Sequence, residues 1–354
     1  MAFGRRKSEW NIVAVLLIIA LLIFIPMGFY IGWQTIFKPK AGVEIPGVST
    51  PVSGPGEIFY GPIEIRMDCQ NVYDLSNPTA NEPTVKIWDS SRSSSLPITL
   101  DGSTPTIFNL KKEDKGKAWL TVDFGTSTTY FVDPVKTKEF ARGYITGWEP
   151  WDYDKDGTLE WAFALDFSQL TPLTGGETAK KVQFNIAVIS AASSVTFTSV
   201  LNPTGVSTTA YMDYYATGYI NVPLGQGFKV VRMRLNVPTS GDNKTYVENG
   251  YVKLMDITMG WPDGTKVYSG ADLSWDSGAS RYDINMGIPD INNEYYGKLV
   301  YRDRNVGATS ITYSVHILAK FPATDKAWCP TLELTLISPA GTISTISVQL
   351  SYTS

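Results

Sequence analysis

Apolar side chains occupy every second position of the stretch Val182-Gln183-Phe184-Asn185-Ile186-Ala187-Val188. Successive side chains of a β-strand point to opposite faces of its sheet, so this spacing predicts a strand with one face in a core and the other toward solvent. The chain beyond residue 57 is therefore predicted to consist of half-buried strands, because the spacing recurs there. The recurrences are Ile63/Ile65/Met67/Cys69, Ala118/Leu120/Val122/Phe124, Val231/Met233/Leu235/Val237, Tyr313/Val315/Ile317/Ala319/Phe321 and Ile346/Val348/Leu350/Tyr352.

Turn signals separate these strands, among them Asp101-Gly102, Asp156-Gly157 and Ser240-Gly241. Glycine supplies the backbone freedom that tight turns need, and no amphipathic helix longer than a turn or two is predicted after residue 40. Many short strands joined in this way predict an all-β fold of β-sandwich, jelly-roll or Ig-like modules. A polar stretch at residues 133–138 predicts a division into a proximal β-sandwich, residues 57–135, and a distal β-sandwich or jelly roll, residues 136–354.

The N-terminus carries the pattern of a membrane anchor. Residues 11–33 contain no charged side chain, and Trp10 and Trp33 stand at the two ends of this run. Residues 10–37 are therefore predicted to form a single transmembrane helix, since about 20 apolar residues span a lipid bilayer. A cleaved signal peptide is the alternative, but the run is too long and no small-residue cleavage site follows it.

Charge gives this anchor an orientation. The basic tail, residues 1–9, contains Arg5, Arg6 and Lys7 against Glu9, which predicts a cytoplasmic N-terminus and a C-terminal ectodomain outside, at a cell surface or on a virion membrane. Residues 38–56 contain four prolines and four glycines and are predicted to be an extended spacer. The net charge of −4 divides into +4 for residues 1–40 and −8 for the remainder. An acidic ectodomain repels nucleic acid, so a nucleic-acid partner is not expected.

The composition excludes several kinds of chemistry. The chain has one histidine and two cysteines, so a multi-histidine metal site and a Cys₄ zinc site lack their ligands. His316 lies at a polar-facing position of its strand and is interpreted as a solvent-facing or hydrogen-bonded residue. Cys69 and Cys329 are both outside the membrane in this topology, where a disulfide between them is permitted. Two buried thiols are the equally open alternative.

The sharpest motif is Trp151-Asp152-Tyr153-Asp154-Lys155-Asp156-Gly157-Thr158-Leu159-Glu160. Its alternate carboxylates followed by glycine resemble the first part of an EF-hand or dockerin-type calcium loop. The resemblance implies a structural calcium ion bound by the carboxylates of Asp152, Asp154 and Asp156, the carbonyl of Thr158, and Glu160 directly or through water. Position twelve is Phe163 where an EF-hand has its bidentate glutamate, so a complete EF-hand is excluded. The alternative is an Asp/Gly-rich hairpin turn capped by its own side chains.

Aromatic residues are concentrated around this loop. Trp148, Trp151 and Trp161 lie next to Glu149 and Asp152, which permits three interpretations. The tryptophans could form a glycan-binding surface, the two carboxylates could act as a glycosidase pair, or the rings could end the strands of a sandwich core.

These features together predict a non-enzymatic, membrane-anchored structural protein. The lipid membrane would be its partner through residues 10–37, and copies of itself or other subunits would surround it in an ordered assembly outside the cytoplasm. A membrane-containing virion shell and a cell-surface layer or filament both fit. A surface adhesin or glycan-binding module is the alternative, and a carbohydrate-active enzyme comes third.

Overall fold

The computed structural model describes residues 58–71, 73, 83–125, 127, 129–302 and 311–354. The described residues belong to one compact unit, Thr50–Ser354. The predicted basic tail, transmembrane anchor and spacer, residues 1–9, 10–37 and 38–56, lie outside the described residues. Within the described ranges, no helix has the length and apolar character needed to cross a membrane.

The described chain is mostly β-sheet, which confirms the predicted all-β character. It begins with nine strands and one short helix. These are β1 (Gly61–Asn71), β2 (Thr84–Asp89), β3 (Ser95–Ile98), β4 (Thr106–Leu110), β5 (Lys117–Asp123), β6 (Tyr130–Val132), α1 (Pro134–Phe140), β7 (Ile145–Trp151), β8 (Glu160–Asp166) and β9 (Lys180–Ala191).

Thirteen further strands and a second short helix follow. They are β10 (Thr196–Leu201), β11 (Met212–Asn221), β12 (Gln226–Asn236), α2 (Asn243–Glu248), β13 (Val252–Trp261), β14 (Gly264–Ser269), β15 (Leu273–Asp276), β16 (Arg281–Ile284), β17 (Lys298–Tyr301), β18 (Ile311–Ala319), β19 (Ala327–Trp328), β20 (Thr331–Ile337), β21 (Ile343–Gln349) and β22 (Tyr352–Thr353). Glu294–Tyr296 forms a 3₁₀ turn before β17.

The first sandwich packs two sheets against each other. One of them, sheet B, has the antiparallel order β3-β2-β5-β8-β7. The other is part of a larger, ten-stranded sheet, sheet A, and this part consists of β4, β1, β9 and β6. Strand β1 alternates strictly between buried and half-buried positions, and Ile63, Ile65 and Met67 are completely buried. The period-2 spacing of β1 and β9 therefore produces the core face that the sequence predicted.

The second sandwich has the same construction. Sheet C has the antiparallel order β10-β11-β18-β13-β14, and it faces the rest of sheet A, which is centred on β12. Strand β12 pairs with β16, β17 and β20, and β20 pairs in turn with β21. Val315 and Ile317 of sheet C share this second core with Leu334 of sheet A.

Sheet A continues from one sandwich into the other. The last residues of β9, Ser190 and Ala191, pair in parallel with Gln226 and Gly227 at the start of β12. Gly227 is required by close approach, because a Cβ there would lie 2.9 Å from both Cδ1 of Ile189 and the carbonyl oxygen of Val300. The two sandwiches thus share one hydrogen-bonded sheet.

The cores divide at a different place from the predicted boundary at residues 135 and 136. Strand β5 pairs with β8 and β1 pairs with β9, and both pairings cross that boundary. The polar stretch that suggested a linker is the start of α1, where the side chain of Asp133 accepts a hydrogen bond from the backbone N–H of Lys136. Polar helix-capping residues and polar linkers look alike in sequence, and the first core extends to β9.

Candidate functional site

The three aspartates of the acidic motif lie in the hairpin loop between β7 and β8. Trp151 and Glu160 pair as the last residues of the hairpin ladder, and the loop folds back through positive φ angles at Lys155 (+64°) and Gly157 (+91°). This folding brings one carboxylate oxygen from each of Asp152, Asp154 and Asp156 within 4.8 Å of the others. The alternate spacing in the sequence therefore produces convergence in three dimensions.

Backbone groups of the loop satisfy part of this negative charge. The N–H of Gly157 donates to Oδ2 of Asp152 (3.2 Å), and the N–H of Asp156 donates to Oδ1 of Asp154 (3.3 Å). The N–H of Thr158 donates to Oδ1 of Asp156 (2.7 Å). These bonds are those of the self-capped hairpin alternative. In addition, Oδ1 of Asp152 is buried and has no hydrogen-bond partner among the described residues, a position that suits a hard cation.

Glu160 borders the loop from the first position of β8. It is 5% exposed, and its Oε2 accepts a hydrogen bond from the backbone N–H of Tyr153 (3.1 Å). Burial raises the pKa of Glu160 to about 7, the bond from Tyr153 opposes this rise, and Asp123, Asp154 and Asp156 add to it. The converging group contains the three aspartates and not Glu160. Thr158 is exposed at the same loop.

The three tryptophans of the predicted glycan surface do not form one surface. Trp148 packs against the first core, whereas Trp151 lies on the outer face of sheet B, because positions three apart in a strand point to opposite faces. Trp161 is 5% exposed and stacks on Tyr295 with a centroid distance of 4.3 Å. Its Nε1 donates to Oε1 of Glu294 (3.0 Å). Trp161 therefore belongs to the contact between the sandwiches.

A different set of rings surrounds Trp151 on the outer face of sheet B. Trp88 of β2 lies 4.8 Å from Trp151 and 5.6 Å from Tyr153, measured between ring centroids. Trp119 of β5 pairs directly with Trp88 in the strand register. We call Trp88, Trp119, Trp151 and Tyr153 the aromatic face. Trp88 and Trp119 escaped the sequence interpretation because long-range pairing brings them together, although both stand at polar-facing positions of alternating strands.

Charged groups are built into the aromatic face. The guanidinium carbon of Arg92 lies 3.8 Å from the ring centroid of Trp119 and 4.7 Å from that of Trp151, and Arg92 forms an ion pair with Glu149. Nζ of Lys86 lies 4.4 Å from the ring centroid of Tyr153. The arrangement combines ring surface with a few oriented polar groups, a composition that small-molecule sites share.

The other residues that the sequence analysis selected, His316, Cys69 and Cys329, lie away from the β7–β8 loop. His316 is on the outer face of sheet C, with Nδ1 at 2.7 Å from Oδ2 of Asp256, Nε2 at 2.8 Å from Oδ1 of Asp213, and Tyr215 stacked on its ring. Cys69 is in the first core, and Cys329 is half-buried beside Ser351 in the second sandwich. The structure has both as thiols, and Cys329 is half-buried where the sequence alternative had it buried.

No protein-family model matches this sequence, and no curated protein matches it. The chain is similar at 6% identity to BcpA, the major pilin subunit of Bacillus cereus, over 83% of this chain and 69% of that one, with a TM-score of 0.26. It is similar at 8% identity to the full-length major pilin SpaD from Corynebacterium diphtheriae, over 83% and 66%, with a TM-score of 0.24. The C-terminal domain of the AgI/II polypeptide BspA of Streptococcus agalactiae matches at 9% identity over 86% and 81%, with a TM-score of 0.21. These scores are too low to carry an argument about function.

Proposed function

We propose that the chain is a non-enzymatic structural subunit of an ordered assembly outside the cytoplasm. In this proposal residues 10–37 anchor it in a lipid membrane, its N-terminus is cytoplasmic, and its sandwiches contact copies of the chain or other subunits. The assembly is a membrane-containing virion shell or a cell-surface layer or filament. The proposal rests on how firmly the two sandwiches are joined.

The observation that supports this proposal most directly is the joint between the two sandwiches, where the end of β9 pairs with the start of β12. Sheet A passes through both sandwiches, and a buried ion pair reinforces the passage. Lys229 of β12 is 1% exposed and pairs with Glu294, whose other carboxylate oxygen accepts the hydrogen bond from Trp161 of the first sandwich. Lys229 is buried and Glu294 is half-buried, and both carboxylate oxygens of Glu294 are engaged, one by each sandwich. Such a block suits a subunit that holds a position in a lattice.

In this proposal calcium is a structural ion that stabilises the β7–β8 loop. The ion would be bound by Asp152, Asp154 and Asp156, and the carbonyl of Thr158 and Glu160 would complete the shell. The unpartnered Oδ1 of Asp152 and the converging carboxylates support the fit. A bound ion would rigidify the loop that joins β7 to β8 at the edge of sheet B.

Imaging tests the structural proposal. The full chain, expressed in its membrane or reconstituted in lipid vesicles, should form repeated lateral contacts that electron cryotomography resolves at subunit scale. Its matched control is the chain reconstituted at a lower protein-to-lipid ratio, in which the density of contacts should fall. Isolated chains at every surface density would contradict the proposal.

The aromatic face favours a second candidate, a glycan-binding adhesin. The stacked rings of Trp88 and Trp151 beside Arg92 and Glu149 supply the ring surface and polar groups that a sugar contacts. A glycan array probed with and without chelator separates the candidates. The adhesin should give a signal that Trp151→Ala abolishes and that the core-facing Trp148→Phe retains, whereas the structural subunit should give none.

A further inference from the structure

A β-bulge in β13 turns a carboxylate toward the chain's one histidine. The register of β13 with β18 shifts just before Asp256, which leaves Asp256 opposite His316 on the outer face of sheet C. Without this shift Met255 would lie opposite His316, and Asp256 would lie opposite Val315, which is completely buried in the second core. A bulge commonly re-aims a side chain, and here it brings an acid to the imidazole.

Strand β11, on the other side of β18, supplies a second carboxylate and an aromatic ring. Nε2 of His316 lies 2.8 Å from Oδ1 of Asp213, and Nδ1 lies 2.7 Å from Oδ2 of Asp256. Tyr215 is the direct register partner of His316, and the two rings stack with a centroid distance of 4.2 Å and an interplanar angle of 14°. The imidazole therefore joins β11, β18 and β13, the three central strands of sheet C.

The two contacts of His316 with carboxylates require a ring that carries both of its protons. An ionised carboxylate only accepts hydrogen bonds, whereas a neutral imidazole has one N–H and one lone pair. A neutral His316 would therefore donate to one aspartate and turn a lone pair toward the other. The imidazolium donates to Asp213 and Asp256 at once, and its charge lies over the face of the Tyr215 ring.

We propose that His316, Asp213 and Asp256 form a proton-dependent clamp across sheet C, a device that goes beyond the proposed function and does not depend on it. With its second proton the ring bonds both aspartates and ties β11 and β13 to β18. When that proton leaves, the bond to Asp213 is the one that breaks. The Asp213 side chain is 59% exposed and water replaces the ring there, whereas the Asp256 side chain is 23% exposed.

The sign of the pH dependence follows from where the proton is held. The unfolded chain has no such pair of aspartates fixed beside its histidine, so the clamp stabilises the folded chain alone. Its contribution is complete at acidic pH and is lost as the pH rises through the range in which histidines titrate, about pH 5 to 8. The three central strands of sheet C are therefore held most tightly at the acidic end of this range.

The other groups around the ring leave this chemistry to the two aspartates. Lys253 of β13 is exposed and lies opposite Leu318, two residues along β18 from His316, so solvent screens its charge. Strand β14 places the uncharged Ser269 opposite Asp256. The charged or titratable side chains that β11, β13 and β18 present on this part of the outer face are Asp213, Tyr215, Lys253, Asp256 and His316.

Urea unfolding of the full chain at two pH values tests the clamp. His316→Phe keeps a ring against Tyr215 and carries no proton, so comparison with this variant removes the contribution of every other titrating group. From about pH 5.5 to about pH 9, the folded-to-unfolded ratio of the wild-type chain should fall about tenfold relative to that of His316→Phe, as expected for the loss of one hydrogen bond to a partly exposed charge. A difference between the two chains that does not change with pH would overturn the proposal.

An amide at position 213 supplies the second arm. The side chain of Asp213→Asn has both a donor and an acceptor, so it bonds Nε2 of His316 with or without a proton there, and most of the pH dependence should disappear. Position 213 is exposed, so the fold should persist, which circular dichroism checks. The matched control Asp263→Asn alters an exposed partner of Lys298 and should keep the wild-type pH profile. If the two amide variants have the same pH profile, the bond to Asp213 is not proton-dependent and the clamp is wrong.

Discussion

The outer faces of the two sandwiches satisfy their polar groups in different ways. On sheet B, Arg92 lies over the rings of Trp119 and Trp151 and pairs with Glu149. On sheet C, the polar side chains are mainly hydroxyls, and His316 bridges two carboxylates across three neighbouring strands. The first face is stabilised by ring stacking and the second by hydrogen bonds along the strand register.

The two sandwiches also differ in how their carboxylates are arranged. The first sandwich concentrates three carboxylates in one loop beside its aromatic face, so a cation or another ligand would bind there. The second sandwich has its carboxylates paired with basic side chains, as in Lys298 with Asp263 and in Asp283 with Arg234 and Arg281. A substitution in one sandwich should therefore change the stability or binding of that sandwich alone. A substitution at the joint should change the stability of both sandwiches.

The joint should give the largest effect. Lys229→Ala leaves the half-buried carboxylate of Glu294 without its cation, and the free energy of unfolding should fall by about 3 kcal/mol, the lower end of the range for a buried pair, because Glu294 keeps some contact with water. Urea unfolding of the full chain measures this loss. The control Lys298→Ala breaks an exposed pair with Asp263 and should cost less than about 1 kcal/mol. Equal losses would mean that the buried pair does not join the sandwiches.

Calcium should stabilise the first sandwich only. At a hundred times its dissociation constant, calcium should raise the free energy of unfolding by about 2.7 kcal/mol, because it binds the folded loop alone. Hydrogen exchange should show the added protection in β7 and β8 and not in sheet C. Asp154→Asn with Asp156→Asn should remove the effect, whereas the control Asp263→Asn should keep it. Protection spread equally over both sandwiches would contradict a local site.

The second sandwich should lose less when its histidine is replaced. His316→Phe keeps a ring against Tyr215 and removes the contacts with Asp213 and Asp256. We expect a loss of about 1–2 kcal/mol, because hydrogen bonds to charged groups contribute most when buried and Asp213 is exposed. Chemical denaturation measures the loss, and the calcium response should persist. A changed calcium response would show that the two outer faces are coupled.

The sequence was sufficient where a feature depends on near neighbours in the chain. Period-2 spacing predicted the strands that became β1, β5, β9, β12 and β18, whereas the predicted run from Ile346 to Tyr352 is divided between β21 and β22. It was also enough to bring the three aspartates together, because a hairpin loop of residues 152–159 needs no distant partner. His316 stands at the polar-facing position that its strand predicted.

The features that sequence reasoning missed all depend on strand register across long separations. Trp88 meets Trp119 through the pairing of β2 with β5, and Lys229 meets Glu294 and Trp161 through the joint. The surface predicted from Trp148 and Trp151 failed for a local reason, since an odd spacing within one strand separates the two side chains. Which strands are neighbours depends on core packing, and one sequence does not encode it as a readable period.

The smallest expected effect tests whether the aromatic face is occupied by its own arginine. Arg92→Lys keeps a positive charge near Glu149 and loses the flat guanidinium over Trp119 and Trp151, which should cost about 0.5–1 kcal/mol. The control Arg66→Lys alters a similar ion pair, with Glu64, and should change the unfolding free energy less. Urea unfolding followed by tryptophan fluorescence measures both. If the two losses are equal, the rings do not depend on Arg92 for their stability, and a sugar could displace its guanidinium at little cost, which would favour the adhesin over the structural subunit.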